Sequence, residues 1–390
     1  MSHTADADTS QQTDRNNHPN PPATLSALAV EAGIKFNGSA HWDIQVHDER
    51  VYDRILLDGS LGFGESYMDG LWDCDQLDVL FYRLLNAEID QKIDKWRRLR
   101  LLGEILRHRL FNLQSRRRAF QVGERHYDTG NDVFERMLDP SMSYSCGYWK
   151  DATDLTQAQS DKLDLICRKL ELKSGERMLE IGSGWGSLAH FAAKHYGVEV
   201  VGITVSKEQM QLAEARCEGL PVTFKLMDYR DLDGQYDKLA SVGMFEHVGP
   251  KNYRTYFDIA KRVLKKEGLF LLHTIGAPFS TPKTDPWIDK YIFPNGKLPS
   301  AREIASSIEH RFVIEDWHNF GRDYDRTLMA WWANFDRAWP ELSAKYGQRF
   351  YRMWRYYLLQ SAGFFRSGQG QLWQIVLAHR QRTTPYRSVR

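Results

Sequence analysis

No apolar run in this chain reaches the ~18 residues that a helix needs to cross a bilayer, and the N-terminus lacks the charged-then-apolar layout of a secretory signal. The expected location is therefore the cytosol, with contact to a membrane surface still open. Cysteine is scarce. Cys74, Cys146, Cys167 and Cys217 form no Cys-x-x-Cys pair and no zinc-ligand spacing, so they read as free thiols and no metal site is expected. Charge of one sign is also missing: 52 Lys+Arg against 51 Asp+Glu leaves +1. A global pull toward nucleic acid is thereby excluded, and any basic surface must be local. What is abundant is apolar and aromatic material, 42% hydrophobic with 12 Trp, 18 Tyr and 19 Phe in 390 residues, enough for one or two domains with a large core.

Residues 1–23 are polar and proline-bearing and cannot bury enough apolar surface to offset their ordering entropy, so they are expected as a disordered tail. Order is expected from Leu25, where Leu25, Leu28, Ala29 and Ala32 have helical spacing; Phe36 to Val46 then reads as extended. A glycine-rich segment, Gly59 to Gly70, precedes a helix over Leu77 to Leu85. From Asp94 to Phe120 nine cations, including Arg97, Arg98 and Arg100, interleave with leucines stepping by three and four. That pattern suits a helix lying on an anionic bilayer, and equally an amphipathic helix packing on its own domain with a solvated basic rim. No nucleic-acid reading element accompanies it. Further on, Asp128-Thr-Gly-Asn131 reads as a turn with Asp132 as a helix cap, and the aromatics of Tyr144 to Trp149 as a cap over a ligand.

The stretch Arg177-Met-Leu-Glu-Ile-Gly-Ser-Gly-Trp-Gly-Ser187 organises the rest. An apolar run predicts a buried parallel strand, three glycines a tight turn, and Leu188 to His195 a helix; together they make a nucleotide cradle. No lysine follows the glycines as a P-loop requires, and the spacing is Gly-x-Gly-x-Gly, not that of a dinucleotide fingerprint. Glu180 stands just before the turn. A carboxylate there suits a cationic ligand without phosphates, such as S-adenosylmethionine. A helix over Gln157 to Leu172 leads into this strand, and alternation continues after it: strands at Val198–Val205, Val222–Met227, Leu239–Met244 and Gly268–Ile275, helices at Lys207–Glu218 and Tyr253–Leu264. Such alternation predicts a doubly wound α/β sheet with its ligand beyond the C-terminal strand ends. Polar residues stand at those ends: Thr204 to Ser206, Asp228-Tyr229, Glu246-His247 and His273-Thr274. Glu246-His247 also reads as a helix cap, His273 as a core imidazole and Tyr324 as packing; two titratable clusters on adjacent strands, ~5 Å apart, favour the site reading.

Taken with Tyr67-Met-Asp-Gly70, His126-Tyr-Asp-x-Gly-Asn-Asp132, Tyr144-Ser-Cys146, Gly202-Ile-Thr-Val-Ser206, Gly243-Met-Phe-Glu-His-Val-Gly-Pro-Lys-Asn-Tyr253, Leu272-His-Thr-Ile-Gly276 and Trp317-His-Asn-Phe-Gly321, the cradle resembles the cyclopropane-fatty-acyl-phospholipid synthases, class I S-adenosylmethionine-dependent methyltransferases, over roughly residues 25–390. The long N-terminal part looks like the phospholipid-modifying members. The resemblance implies a mostly parallel, seven-stranded Rossmann-like sheet with a smaller, mainly helical N-terminal domain (24–118, lipid- and membrane-associated) before a catalytic domain (119–390). It implies that Tyr144, Ser145, Gly182, Gly184, Thr204, Gln209, Asp228 and Tyr229 hold S-adenosylmethionine. Cys146, Glu246, His273, Ile275 and Tyr324 would surround a bicarbonate ion beside the reacting carbon. The implied reaction places a methylene on cis double bonds of acyl chains in a phospholipid bilayer, at the inner face of the cell membrane; the alternatives are a lipid methyltransferase making methyl-branched chains and a non-catalytic lipid binder. A homodimer is left open. Ser183 and Glu180 depart mildly from the family's usual Cys and Asp. Ser361, where some members have a cysteine, argues against an obligatory covalent role.

Overall fold

Strand residues of alternating orientation are buried on both sides of the central sheet, and this places helices on both of its faces. In the computed structural model, which describes residues 20–88, 130–281 and 284–390, the parallel strands are β3 (Arg177–Ile181), β4 (Glu199–Thr204), β5 (Val222–Leu226), β6 (Tyr236–Val242) and β7 (Leu264–Gly276). Two more, β8 (Val313–Asn319) and β9 (Gln371–Ala378), complete a seven-stranded sheet of order β5-β4-β3-β6-β7-β9-β8. β9 alone runs opposite to the other six strands, antiparallel to both β7 and β8. Met178, Val200, Ala240, Leu269, Leu271 and Val376 pack on one face under α6 (Leu155–Lys169) and α7 (Ser187–Tyr196). Leu179, Ile203, Leu239, Phe270, Leu272 and Ile375 pack on the other under α9 (Tyr253–Val263). The two-residue period of a strand separates these sets.

The expected doubly wound sheet is therefore present, with shifted strand ends. β6 stops at Val242, ahead of the expected Met244, because Gly243 turns the chain at φ +67. The strands β8 and β9 were not expected from periodicity. β8 reads Val-Ile-Glu-Asp-Trp-His-Asn at the sheet edge, where Val313 and Ile314 stay exposed, so its pattern carries no clean alternation.

The described N-terminal residues form α1 (Ala23–Glu31), α2 (Arg50–Asp58), α3 (Ser60–Met68) and α4 (Leu77–Asn86), with a two-residue ladder, β1 (Gln45–Val46) on β2 (Trp72–Asp73). Extended structure between Phe36 and Val46 shrinks to this ladder and a Phe36–Ile44 bridge. The glycine-rich segment proves helical as α3. Gly64 is required there because a Cβ would collide with the Trp287 indole of α10 (Pro286–Tyr291). These helices have no core to themselves. Leu25, Trp72, Leu80 and Phe81 belong to one hydrophobic cluster with Trp331, Trp354 and Phe365 of α12 (Asp323–Arg366), a long helix broken at Gly347 (φ +73). Arg366 of α12 clamps Asp78 of α4 at 2.6 Å across this joint and is braced by Asp325 of its own helix at 2.8 Å.

Asp132 is not a cap. α5 (Asn131–Met137) starts after Gly130, and the Asp132 carboxylate instead accepts from Lys345 (2.8 Å) and Tyr346 (2.6 Å). Burial outweighed by these bonds leaves Asp132 below its ordinary pKa. The basic stretch Asp94–Phe120, the boundary at 118 and the tail to residue 19 lie outside the described residues.

Candidate active site

Each parallel strand ends on the same side, and a cavity of about 1020 Å³ opens there, over the point where β4 and β6 leave β3 in opposite directions. Tyr144, Ser145, Gly182, Gly184, Thr204, Gln209, Asp228, Tyr229, Glu246, His273, Ile275 and Tyr324 all line it. Cys146 does not. Its side chain is fully buried, with the thiol against the Gly147 carbonyl (3.1 Å) and Thr327 (3.8 Å), and burial holds its pKa well above the ordinary value. The aromatic cap is also only partly as expected. Tyr144 lines the cavity with Trp185, whereas Tyr148 and Trp149 do not, and the Trp149 indole donates to Thr327 at 2.8 Å.

On one side lies the glycine turn. Gly184 adopts φ +51, and a Cβ there would meet no protein atom within 4 Å, so the turn leaves open space for a ligand to approach the backbone. Thr204 at the end of β4 donates to Gln209 (3.3 Å), and Ser206 caps α8 (Lys207–Arg216) through the Gln209 amide. Asp228 accepts from the Arg230 amide (2.9 Å) and pairs with its guanidinium (2.8 Å), which also lies over the Tyr229 ring. Glu180 is buried with Oε2 unpartnered, and desolvation pushes its pKa up to about 8, moderated by Lys162. Its orphaned oxygen and the open backbone at Gly184 fit a ligand with a cationic group, as S-adenosylmethionine has.

On the other side Glu246 sits in the turn Phe245–His247 after β6, its Oε1 accepting from the Ile275 amide at 2.6 Å. Its Oε2 has no partner, and burial pushes its pKa up to about 7. His273 lies one strand over, in register with Val242. The Gln374 amide lies 3.3 Å from its Nδ1, and its Nε2 is buried and unpartnered. Burial, with Lys162 and Lys169 nearby, holds His273 well below its ordinary pKa. Tyr324 stacks on Phe365 at 4.4 Å, and burial keeps its phenol protonated. A carboxyl with its pKa raised to about 7, an imidazole and a phenol therefore line one cavity, the first two with unused hydrogen-bonding capacity. That set fits a small oxyanion. Much of the remaining lining is apolar: Leu57, Leu61 and Leu85 from the N-terminal helices, with Phe293, Phe364 and Leu372.

Residues 114–375 match the family model for mycolic acid cyclopropane synthetase. The chain belongs to this family. It is 57% identical to the cyclopropane-fatty-acyl-phospholipid synthase of Escherichia coli (strain K12), over 90% of this chain and 91% of that one. It is 40% identical to a probable fatty acid methyltransferase of Pseudomonas putida, over 64% of this chain and 67% of that one. Among solved structures, the mycolic acid cyclopropane synthase CmaA1, complexed with SAH and CTAB, superimposes with a TM-score of 0.62 at 30% identity, covering 66% of this chain and 97% of the other. The family's seven-stranded sheet is the one described here.

Three contributors escaped sequence reasoning. Lys162 sits among the apolar residues of α6 yet lines the cavity, Gln374 contacts His273 Nδ1 from the unassigned β9, and Tyr357 bonds Tyr144 (2.8 Å) from α12. Lys162 alone left a trace, a charge inside the run that packs its helix on the sheet.

Proposed function

We propose that this chain transfers a methylene from S-adenosylmethionine to the cis double bond of unsaturated acyl chains of membrane phospholipids, forming cyclopropane chains. The observation that carries this reading is one cavity joining a glycine cradle to a buried, proton-poised Glu246–His273–Tyr324 cluster under an apolar wall. The E. coli relative acts, by its name, on fatty-acyl phospholipid.

S-adenosylmethionine supplies a methyl electrophilic enough for an isolated alkene, a poor nucleophile. The apolar walls exclude water that would quench the resulting cation on the acyl chain. Ring closure then requires a base near the transferred methyl. A bicarbonate ion, held by Glu246, His273, Ile275 and Tyr324, would supply that base. Glu246 facing an anion must share a proton with it, and its pKa near 7 allows this.

Leu57 and Phe279, 60% and 71% exposed, line the cavity and leave apolar surface at its rim, which supports entry of chains from a bilayer at the inner face of the cell membrane. The basic stretch Asp94–Phe120 would add attraction to anionic lipid. Neutralising Arg97, Arg98 and Arg100 together should weaken vesicle binding, most at low salt, with cofactor affinity unchanged. Residues 24–118 are read as the lipid-associated part and 119–390 as the catalytic part.

Incubating the protein with S-adenosylmethionine and phospholipid vesicles carrying cis-unsaturated chains tests the function. Mass spectrometry should find one CH2 added per olefin consumed, and decarbonated buffer should slow this until bicarbonate is restored. Addition with a branched, uncyclised chain would instead establish the second reading, a methyltransferase making branched acyl chains; the P. putida relative is, by its name, a probable fatty acid methyltransferase. Full activity without carbonate would move the base role to Glu246 or His273.

A further inference from the structure

Lys162 is 1% exposed, on a helix whose neighbouring Leu163 and Ile166 pack against the sheet. A cation so deep needs compensation. Its ammonium donates to Ser145 Oγ at 2.9 Å. The charged and titratable groups facing it come from three other elements: Glu180 at the end of β3, Asp139 and Cys146 from the segment after α5, and His273 on β7.

This arrangement has a chemical consequence for Ser145. A hydroxyl oxygen that accepts from an ammonium turns its own proton away from that ammonium. Ser145 lines the cavity, so this O–H is a donor available to a ligand there. Glu180, on the other flank of Lys162, keeps Oε2 unpartnered and also lines the cavity. One buried cation therefore sets two poles of opposite sense, a hydroxyl donor and a carboxylate acceptor.

We propose that Lys162 is a positioning residue for the amino-acid end of S-adenosylmethionine, aligning Ser145 for its carboxylate and balancing Glu180 until its ammonium arrives. The proposal rests on the reading of this cavity as an S-adenosylmethionine site. A purely structural lysine would occupy the same place without influencing the ligand's charged end.

The discriminating experiment titrates the full chain calorimetrically with S-adenosylhomocysteine and, separately, with methylthioadenosine, which lacks the amino-acid end. In Lys162→Met, affinity for S-adenosylhomocysteine should fall about tenfold or more while that for methylthioadenosine holds. Ser145→Ala should show the same selective loss, and the double variant should be no weaker than Lys162→Met alone. A folded Lys162→Met protein that binds S-adenosylhomocysteine normally, or loses both ligands equally, overturns the proposal. Should Lys162→Met not fold, Ser145→Ala decides: normal affinity overturns, selective loss supports. Failure of the unaltered protein to bind S-adenosylhomocysteine would overturn the cofactor reading itself and this proposal with it.

Discussion

Asp228 and Glu246 are buried carboxylates at the ends of consecutive strands, on opposite sides of one cavity, and their surroundings differ. Asp228 is held by an arginine and an amide from its own turn. Glu246 has one backbone amide and, among the described residues, no ion pair. At Asp228 the cradle thus pairs a carboxylate before any ligand arrives, through local partners that a short loop can supply, while Glu180 on the same side keeps an oxygen unpartnered. The reaction side leaves its charges undecided near neutral pH, because desolvation there is not offset by a cation. Pairing suits a carboxylate such as Asp228 that braces its turn; an unpaired one such as Glu246 suits a group that must move a proton.

The largest test of that contrast is Glu246→Gln, which keeps shape and removes the titrating group. Turnover should fall by ~10²–10⁴-fold, with S-adenosylhomocysteine affinity within about twofold on calorimetry. Equal losses in both would erase the distinction between the two sides. Gly184→Val attacks the other face. A branched side chain at φ +51, projecting into open space, should reduce S-adenosylhomocysteine affinity by at least ~100-fold while circular dichroism stays native. Normal affinity would remove the cradle assignment.

A third test uses pH. Glu246 has its folded pKa raised from 4.5 to about 7, so its contribution to stability is fully present below the unfolded value and is lost as pH rises through about 7. The full loss is ~3 kcal/mol, and Glu180, raised to about 8, adds a limb of the same sign at higher pH. Urea denaturation at pH 5 and pH 8 should show a smaller stability loss in Glu246→Gln than in the unaltered protein. Identical losses would place the titration elsewhere. The smallest expected effect is at the rim. Phe279→Ser should change stability by under ~0.5 kcal/mol, leave cofactor affinity alone, and lower association with phospholipid vesicles a few-fold in a flotation assay.

The sheet and the cradle were legible because each rests on local patterns. An apolar run before Gly182-Ser-Gly-Trp-Gly186 could form little else, and the polar residues at strand ends marked the site. What escaped depends on contacts far apart in sequence. The helical state of Gly59–Gly70 follows from packing on Trp287 and α12, which no local glycine preference reports. Gln374 acquires its role from pairing β9 with β7, 101 residues away from His273. Asp132 fits a cap by residue type, but two partners on α12 claim its carboxylate. Cys146 sits in a motif with Tyr144 and Ser145, yet the chain direction turns its side chain into the Thr327 contact while its neighbours line the cavity.

The position of β9 also orders events during synthesis. It is made after all the other strands, yet it occupies the slot between β7 and β8, so the sheet has a gap until the ribosome has delivered Gln371–Ala378. The residues of the glycine turn are all made before Gln374, the partner that His273 takes from β9. The proton-handling half of the cavity thus depends on the last strand of the sheet, whereas the glycine turn is built from strands made before it.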